Sequence, residues 1–312
     1  MSLITYDLMG NKRDKVQIAI DRFKAFEPED GYYLAFSGGK DSQCIYHLAK
    51  MAGVKFDAHY RVTSVDPPEL VRFIKRQYPD VAFEIPHDKD GKPINMWNLI
   101  PKKLMPPTRL VRYCCEKLKE SGGIGRMTVT GVRWAESSNR SNNQGMVTVT
   151  KYKQSVSDVA DKNGAAHIRT KKGGIVLNYD DAATRRTVEQ CFRTSKTILN
   201  PIIDWEEEDV WEFLNDVVKV PHCALYDQGY KRLGCIGCPM NVNREAELER
   251  YPKYKALYMR AFSKMIEERK RRGREDNFDS PQAVMDWYLE KTTPGSKKCE
   301  GQVGIDELEV TE

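Results

Sequence analysis

The strongest constraint on the fold lies at residues 31–53. Residues 31–36 (GYYLAF) show a short buried-strand pattern and run directly into SGGKDS at 37–42. From Gln43 the pattern turns helical, with Ile45, Leu48, Ala49 and Ala52 on one stripe and Gly53 placed to cap the C-terminus. The loop glycines let the backbone approach an anion closely. The helix start aims N–H groups and the positive end of its dipole at the same point. Lys40 adds a point charge, and the hydroxyls of Ser37 and Ser42 add donors. Ser37, Gly38, Gly39, Lys40, Asp41 and Ser42 are therefore candidate phosphate-binding residues. The loop is not a Walker A loop. Leu34 stands where that pattern has its first glycine, and Asp41 follows the lysine where Ser or Thr would hold Mg2+. Asp41 is instead placed to help hold a Mg2+ that bridges pyrophosphate oxygens. The plainer alternative is an ordinary glycine turn with a helix cap.

Strand and helix patterns alternate on either side of this loop. Residues 15–26 read as an amphipathic helix, 56–62 as a strand, 68–77 as a helix, and 81–85 and 127–131 as strands. That order predicts βαβ units and an α/β fold: a doubly wound, mostly parallel sheet with helices on both faces. Residues 142–196 differ, being polar and rich in Thr, Lys, Asn and Gly, with β-like alternation at 146–152 and 175–179. They read as an insertion of strands and loops. Helical spacing returns at 209–214 and in a long basic segment at 244–272, and residues 292–312 read as a loosely held tail. The expected organisation is a nucleotide-binding α/β domain with a cysteine cluster (1–141 and 197–243), a basic insertion (142–196), and a helical C-terminal region with its tail (244–312). With 312 residues and 40% hydrophobic content, the chain can bury a core of that size. It contains no apolar run of membrane-spanning length, and its first fourteen residues lack the apolar stretch of a secretory signal. A cytoplasmic location with no membrane partner is expected.

The net charge of +5 is unevenly spread. Residues 140–196 hold eleven Lys/Arg against five Asp/Glu, and residues 244–275 hold eleven against six. Two basic zones on an otherwise acidic chain suit an anionic partner, nucleic acid or nucleotide. A solvated helix face with a polar loop is the alternative. In GVRWAESSNR at 131–140, Arg133 and Arg140 follow a strand, where guanidinium forks grip phosphate or sulfate oxygens, or else pair with Glu136. Arg109 and Arg112 carry the same two readings, and Trp205 and Trp211 read as core aromatics.

Four of the eight cysteines fall in two pairs: Cys114 with Cys115, and Cys235 with Cys238 in GCIGCP at 234–239. Four thiols of this kind suit a tetrahedral zinc ion or a [4Fe–4S] cluster, and a lone Cys-x-x-Cys equally suits a redox dithiol. Adjacent cysteines hold a single ion awkwardly, because both thiolates must turn to one centre. Two unrelated buried pairs are the alternative. Cys44, Cys191 and Cys223 read as core residues.

SGGKDS resembles the PP-loop of the ATP pyrophosphatases, which cleave ATP between the α and β phosphates, adenylate a substrate and release pyrophosphate. Three further segments resemble the phosphoadenosine phosphosulfate reductase family: GVRWAESSNR at 131–140, NPIIDW at 200–205 followed by DVW at 209–211, and LYDQGY at 225–230 ahead of the second cysteine pair. The resemblance covers 31–53, 109–140 and 200–240 and skips the insertion. It implies the adenine-nucleotide α-hydrolase fold. In the cluster-bearing branch it also implies a [4Fe–4S] cluster ligated by Cys114, Cys115, Cys235 and Cys238.

The chain also departs from that family. Reductases acting on adenylyl sulfates release no pyrophosphate and lack the Lys–Asp pair, so Lys40 and Asp41 favour ATP. The Glu-Cys-Gly-x-His tail of those reductases is missing. Cys299, in KKCEG at 297–301, lacks its ending but stands as a candidate mobile nucleophile, with Lys297 and Lys298 favouring its thiolate; an incidental exposed thiol is the alternative. The segment between the two cysteine pairs is also unusually long. The expected function is ATP cleavage with Mg2+ to AMP and pyrophosphate, with Lys40, Asp41 and Cys299 catalytic, supporting cluster-assisted sulfur transfer from a sulfur donor to nucleic acid. DNA phosphorothioation sulfur-transfer proteins belong to the same family. The second reading is a phosphoadenylyl or adenylyl sulfate reductase that forms sulfite with a thioredoxin-like reductant. The third is a non-catalytic nucleic-acid-binding protein.

Overall fold

The first two strands, β1 (Ile4–Tyr6) and β2 (Lys12–Asp14), pair antiparallel as a small separate ribbon. At its end Asp14 caps the helix Lys15–Ala25, its carboxylate accepting the N–H groups of Val16 and Gln17. In the computed structural model, residues 2–6, 9–150, 155–171, 173–193, 195–274 and 278–290 are described. The described residues divide into two compact units, within 2–62, 66–86 and 118–234 in one and within 63–65, 87–117 and 235–290 in the other.

The first unit is built on β3 (Tyr32–Ala35). Tyr32, Tyr33 and Leu34 are all buried, so both faces of this strand are covered, as a strand inside a parallel sheet requires. The Tyr32 hydroxyl donates to the Phe23 carbonyl on one face, and the Tyr33 hydroxyl donates to Glu84 on the other. The remaining strands are β4 (Phe56–Arg61), β5 (Ala82–Glu84), β6 (Thr128–Val129), β7 (Val147–Val149), β8 (Ile168–Arg169), β9 (Ile175–Leu177) and β10 (Thr197–Leu199). They lie in the order β5-β4-β3-β6-β10-β7-β9-β8. The five strands from β5 to β10 run parallel, and the α/β fold stands as expected. Helices Lys40–Ala52 and Pro68–Gln77 make the crossovers, and Gly53 takes the left-handed conformation that ends the first of them.

The segment 142–196 differs from the expected strands and loops in two ways. Its strands β7, β9 and β8 extend the same sheet antiparallel, and Val147, Val149, Ile175 and Leu177 are fully buried in the core that holds Leu34 and Val129. It also carries two helices, Val156–Asn163 and Ala182–Cys191. Their buried faces, Val156 with Ala160 and Thr184, Thr187, Val188 with Cys191, keep helical spacing but are short and partly polar, so the period is hidden among Lys and Asp.

The second unit is helical, with Met96–Lys103, Arg244–Arg250, Pro252–Arg271 and Pro281–Tyr288. The basic segment at 244–272 is thus two helices, divided at Tyr251, because Pro252 starts a new one. Trp97 packs edge-on to Tyr258 at 5.2 Å, above a core that includes Phe262, Met265, Val284 and Met285. Among the described residues no helix is long and apolar enough to cross a membrane.

One feature of this topology positions the site. From β3 the chain moves outward through β4 and β5, then returns to place β6 on the other side of β3. The carboxyl ends of β3 and β6 therefore flank a switch point, where open α/β sheets bind ligands.

Candidate functional site

The 37–42 loop leaves the carboxyl end of β3 at this switch point. Gly38 has φ +74°, and a side chain there would lie 2.6 to 2.8 Å from Ile74 and Leu70 of the helix beneath. Only glycine fits. Gly39 caps the helix start without a side-chain bond, and the Ser42 hydroxyl donates back to the Gly39 carbonyl at 2.8 Å. The Ser37 and Ser42 hydroxyls lie 3.3 Å apart. The first helical amide does not face open space: Lys40 N–H donates to the Tyr226 hydroxyl at 2.9 Å.

The loop after β6 closes on this helix start. A Cβ on Gly131 would lie 2.7 Å from the Asp41 carbonyl oxygen, so its absence lets the two backbones touch. Two residues later Arg133 is 2% exposed, and each of its three guanidinium nitrogens donates a hydrogen bond. Nε donates to Asp41 Oδ1 at 2.7 Å, Nη2 to Glu207 Oε2 at 2.8 Å, and Nη1 to the Trp205 carbonyl at 3.3 Å. Lys40 is equally buried, with Nζ 3.4 Å from Glu207 Oε1, 3.7 Å from Asp41 Oδ2 and 3.3 Å from the Lys231 carbonyl. Burial opposes the charge on Glu207, yet Lys40 and then Arg133 hold its carboxyl below the usual range. Burial likewise opposes the charge on Arg133, and Asp41 and Glu207 reverse that effect.

A cavity of about 760 Å³ opens over Lys40, Arg133 and Glu207, with Trp211 and Tyr226 on its wall. Those two rings pack edge to face at 5.1 Å. Trp205 is a core aromatic, 1% exposed, whereas Trp211 lines the cavity and its indole N–H donates to Glu207 Oε1 at 3.3 Å. Arg140 is turned to Glu136, which also pairs with Arg232 at 2.9 Å and accepts the Arg133 N–H at 3.1 Å. The loop thus brings together Lys40, Asp41 and Arg133, while Arg140 makes the Glu136 pair that was its other reading. Sequence reasoning missed Glu207, Tyr226 and Trp211 as site residues. Glu207 sits in an acidic run that reads as solvated surface, whereas Tyr226 and Trp211 fall in the family-like segments LYDQGY and DVW without being singled out there.

All four paired cysteines belong to the second unit, and among the described residues no disulfide joins them or the buried Cys44, Cys191 and Cys223. A hydrogen bond with Cys115, then burial, then the negative charge of Cys115, Cys235 and Cys238 push the Cys114 thiol well above its ordinary range. The Cys235–Cys238 turn is held from beneath: Gly237 N–H donates to Glu247 at 3.0 Å, and the Tyr258 and Tyr288 hydroxyls donate to the Ile236 and Gly237 carbonyls at 3.1 and 2.5 Å. Arg109 Nε donates to the Pro239 carbonyl at 3.2 Å, and an Arg112 nitrogen lies 3.4 Å from the Cys115 sulfur. Four thiols, with Cys115, Cys235 and Cys238 all acting on Cys114, suit a thiophilic centre in their donor chemistry. Among the described residues no three ligating side chains close on a single metal ion. Cys299 and the 292–312 tail lie outside the described residues.

A model of the phosphoadenosine phosphosulfate reductase domain matches residues 31–241, two thirds of the chain, and takes in Lys40, Asp41, Arg133, Glu207, Trp211, Tyr226 and the four paired cysteines. The chain belongs to this family. Among relatives, an uncharacterized protein of Methanocaldococcus jannaschii is 26% identical over 271 residues, 85% of this chain and 53% of that protein. Adenosine 5'-phosphosulfate reductases of Oceanobacillus iheyensis and Allochromatium vinosum match over shorter stretches. The first is 38% identical over 47 residues (15% of this chain, 19% of that protein), the second 42% over 40 (13% and 15%). The chain thus spans about half the length of the first of these curated relatives and less than a fifth of the other two. Among solved structures, the FMN adenylyltransferase of Candida glabrata aligns with 75% of this chain and 70% of its own at 15% identity and a TM-score of 0.39.

Proposed function

We propose that this family member binds ATP with Mg2+ on the 37–42 loop and cleaves it between the α and β phosphates, giving AMP and pyrophosphate as a substrate is adenylated. The observation that carries this reading is the meeting of Lys40, Arg133 and Asp41 at the carboxyl ends of β3 and β6. Two buried cations suit the charge that develops on a pyrophosphate leaving group, and they are already oriented before it forms. Lys40 acts as a point charge and Arg133 as a planar fork, while Asp41 is the carboxylate for the divalent metal. Trp211 and Tyr226 offer ring faces and edges to a purine.

Cys114, Cys115, Cys235 and Cys238 would hold a [4Fe–4S] cluster, which supplies electron-transfer and sulfur-binding chemistry when bound. Tyr258, Tyr288 and Glu247 fix the backbone of one ligand pair for it. Nucleic acid is the acceptor class that the basic zones favour. Lys171, Arg186 and Arg193 are exposed in the first of these, whereas Arg244 is buried against the Tyr288 carbonyl and Glu290. Cys299 is the proposed nucleophile. The named reductase relatives favour a second reading, reduction of an adenylyl sulfate to sulfite.

Anaerobically purified protein separates the two. Pyrophosphate release from ATP and Mg2+ supports the first, and sulfite from adenylyl sulfate and a thiol reductant, without pyrophosphate release, supports the second. Neither product, with nucleic acid or small-molecule acceptors present, refutes both. Metal analysis of the same sample, with about four irons per chain expected against one zinc, tests the thiol assignment.

A further inference from the structure

We propose that Glu207 is a resident counter-anion on the phosphate position of the nucleotide site, where it sets a charge threshold that only a polyphosphate or a terminal phosphate dianion passes, a role that rests on the nucleotide reading above. Lys40 and Arg133 are the two deep cations of the cavity, and each gives a nitrogen to Glu207. With the Trp211 indole N–H, both carboxylate oxygens are satisfied. Asp41 alone would leave two buried positive charges facing one negative charge. Buried charges persist only when paired, and Glu207 completes the balance with Asp41.

The two carboxylates are mounted differently. Asp41 has a short side chain in the first turn of Lys40–Ala52, pressed against the backbone at Gly131. Glu207 is the first residue of the helix Glu207–Glu212, and its longer side chain is 49% exposed towards the cavity. Rotation about its side-chain bonds carries the carboxylate into solvent with no backbone movement. An entering phosphate can therefore take its donors in exchange.

That exchange depends on charge. A phosphodiester brings one negative charge, as the carboxylate does, and gains little by replacing it. Pyrophosphate, the ATP polyphosphate or a terminal phosphate dianion brings more charge to the same charge-assisted donors. The site would thus admit ATP and exclude the backbone of a nucleic acid. Glu207→Gln keeps the shape and removes the competing charge.

The test is calorimetric titration with inorganic pyrophosphate, in EDTA and in Mg2+, on the whole chain and its variants, each first shown to be folded by thermal melting. Glu207→Gln is expected to bind pyrophosphate about tenfold tighter than the parent in EDTA, a shift of about 1.4 kcal/mol. It should also gain binding to cyclic AMP, a phosphodiester. Glu208→Gln removes the same charge from the next residue of the cavity lining and is expected to change affinity less than about threefold. Equal or weaker pyrophosphate binding by Glu207→Gln, or an equal gain in Glu208→Gln, overturns the assignment while leaving the nucleotide site standing. If Glu207→Gln does not fold, Glu207→Asp, one methylene short of its donors, must show a smaller gain of the same sign, and no gain there overturns it as well. Failure of the parent and every variant to bind pyrophosphate or ATP overturns the nucleotide reading and the role of Glu207 together.

Discussion

Substituting Gly131 by Ala tests whether the approach of the β6 loop to the helix start builds the site. Gly131 has no left-handed backbone to preserve, so an added methyl acts only through space. It would lie 2.7 Å from the Asp41 carbonyl oxygen and 2.8 Å from the carbonyl carbon, where ordinary contact begins near 3.4 Å. The obstacle is backbone in the first turn of a buried helix and cannot rotate away. The loop and the helix must therefore separate by about 0.7 Å. Overpacking of this size costs about 1–3 kcal/mol of stability. The same displacement stretches the 2.7 Å bond between Arg133 and Asp41 and shifts Arg133 relative to Lys40. Losing the equivalent of one hydrogen bond to a charged phosphate, about 1.5 kcal/mol, should lower ATP affinity roughly tenfold. Gly53→Ala is the control. Gly53 has φ +68° with no atom near its missing side chain, so alanine costs about 1–2 kcal/mol in the left-handed region without touching the site. Both variants should melt early in circular dichroism, and only Gly131→Ala should lose ATP binding by calorimetry. Parental affinity in Gly131→Ala, or an equal loss in Gly53→Ala, would refute the close-approach argument.

Arg133→Lys keeps the charge but loses the fork that reaches Asp41, Glu207 and the Trp205 carbonyl together, so ATP binding should weaken about 10- to 100-fold with little change in far-ultraviolet dichroism. Asp204→Asn breaks the two-pronged pair with Arg22, at 2.8 and 3.0 Å, that ties Lys15–Ala25 to the end of β10, and should cost about 2 kcal/mol in a urea titration. Burial opposes ionisation of Asp204 but Arg22 overrides it. Its folded pKa is thus depressed, and its contribution is full above about pH 4 and lost as pH falls through the folded value. Asp204→Asn should therefore flatten the acid limb of the stability profile; an unchanged limb argues against the pair. Burial, with Lys50 adding to it, holds the His47 imidazole down at about 4, so the neutral ring stabilises fully above about pH 6.5 and progressively less as pH falls towards 4. His47→Gln should reduce that slope in thermal melts between pH 6.5 and 4, and an identical slope would count against a buried neutral ring.

How far the sequence could be read depended on whether the deciding contact was local. The strand, loop and helix at 31–53 are set by neighbours in the chain, and the elements form within a few residues of where the apolar spacing predicts them. Gly38 was legible as a loop glycine, but the clash with Ile74 and Leu70 that demands it comes from a helix more than thirty positions away. The segment 142–196 read as an addition because its polar faces dominate its composition, whereas its few buried residues complete the central sheet.

Glu207 shows the same limit in its most consequential form. In sequence it is one of three consecutive glutamates ahead of DVW, a pattern that reads as the charged first turn of an exposed helix, and all three are indeed exposed. What distinguishes the middle residue is the sheet order, which sets the loops after β3 and β6 side by side and turns Lys40 and Arg133 towards the same point. A phosphate site read from its cations alone looks strongly positive. The folded site places two carboxylates on those two cations, so its affinity must come from charge that the ligand brings in excess of what it replaces. The same balance explains how the chain keeps Lys40 and Arg133 buried, and why the bare loop motif overstates how readily any anion would bind there.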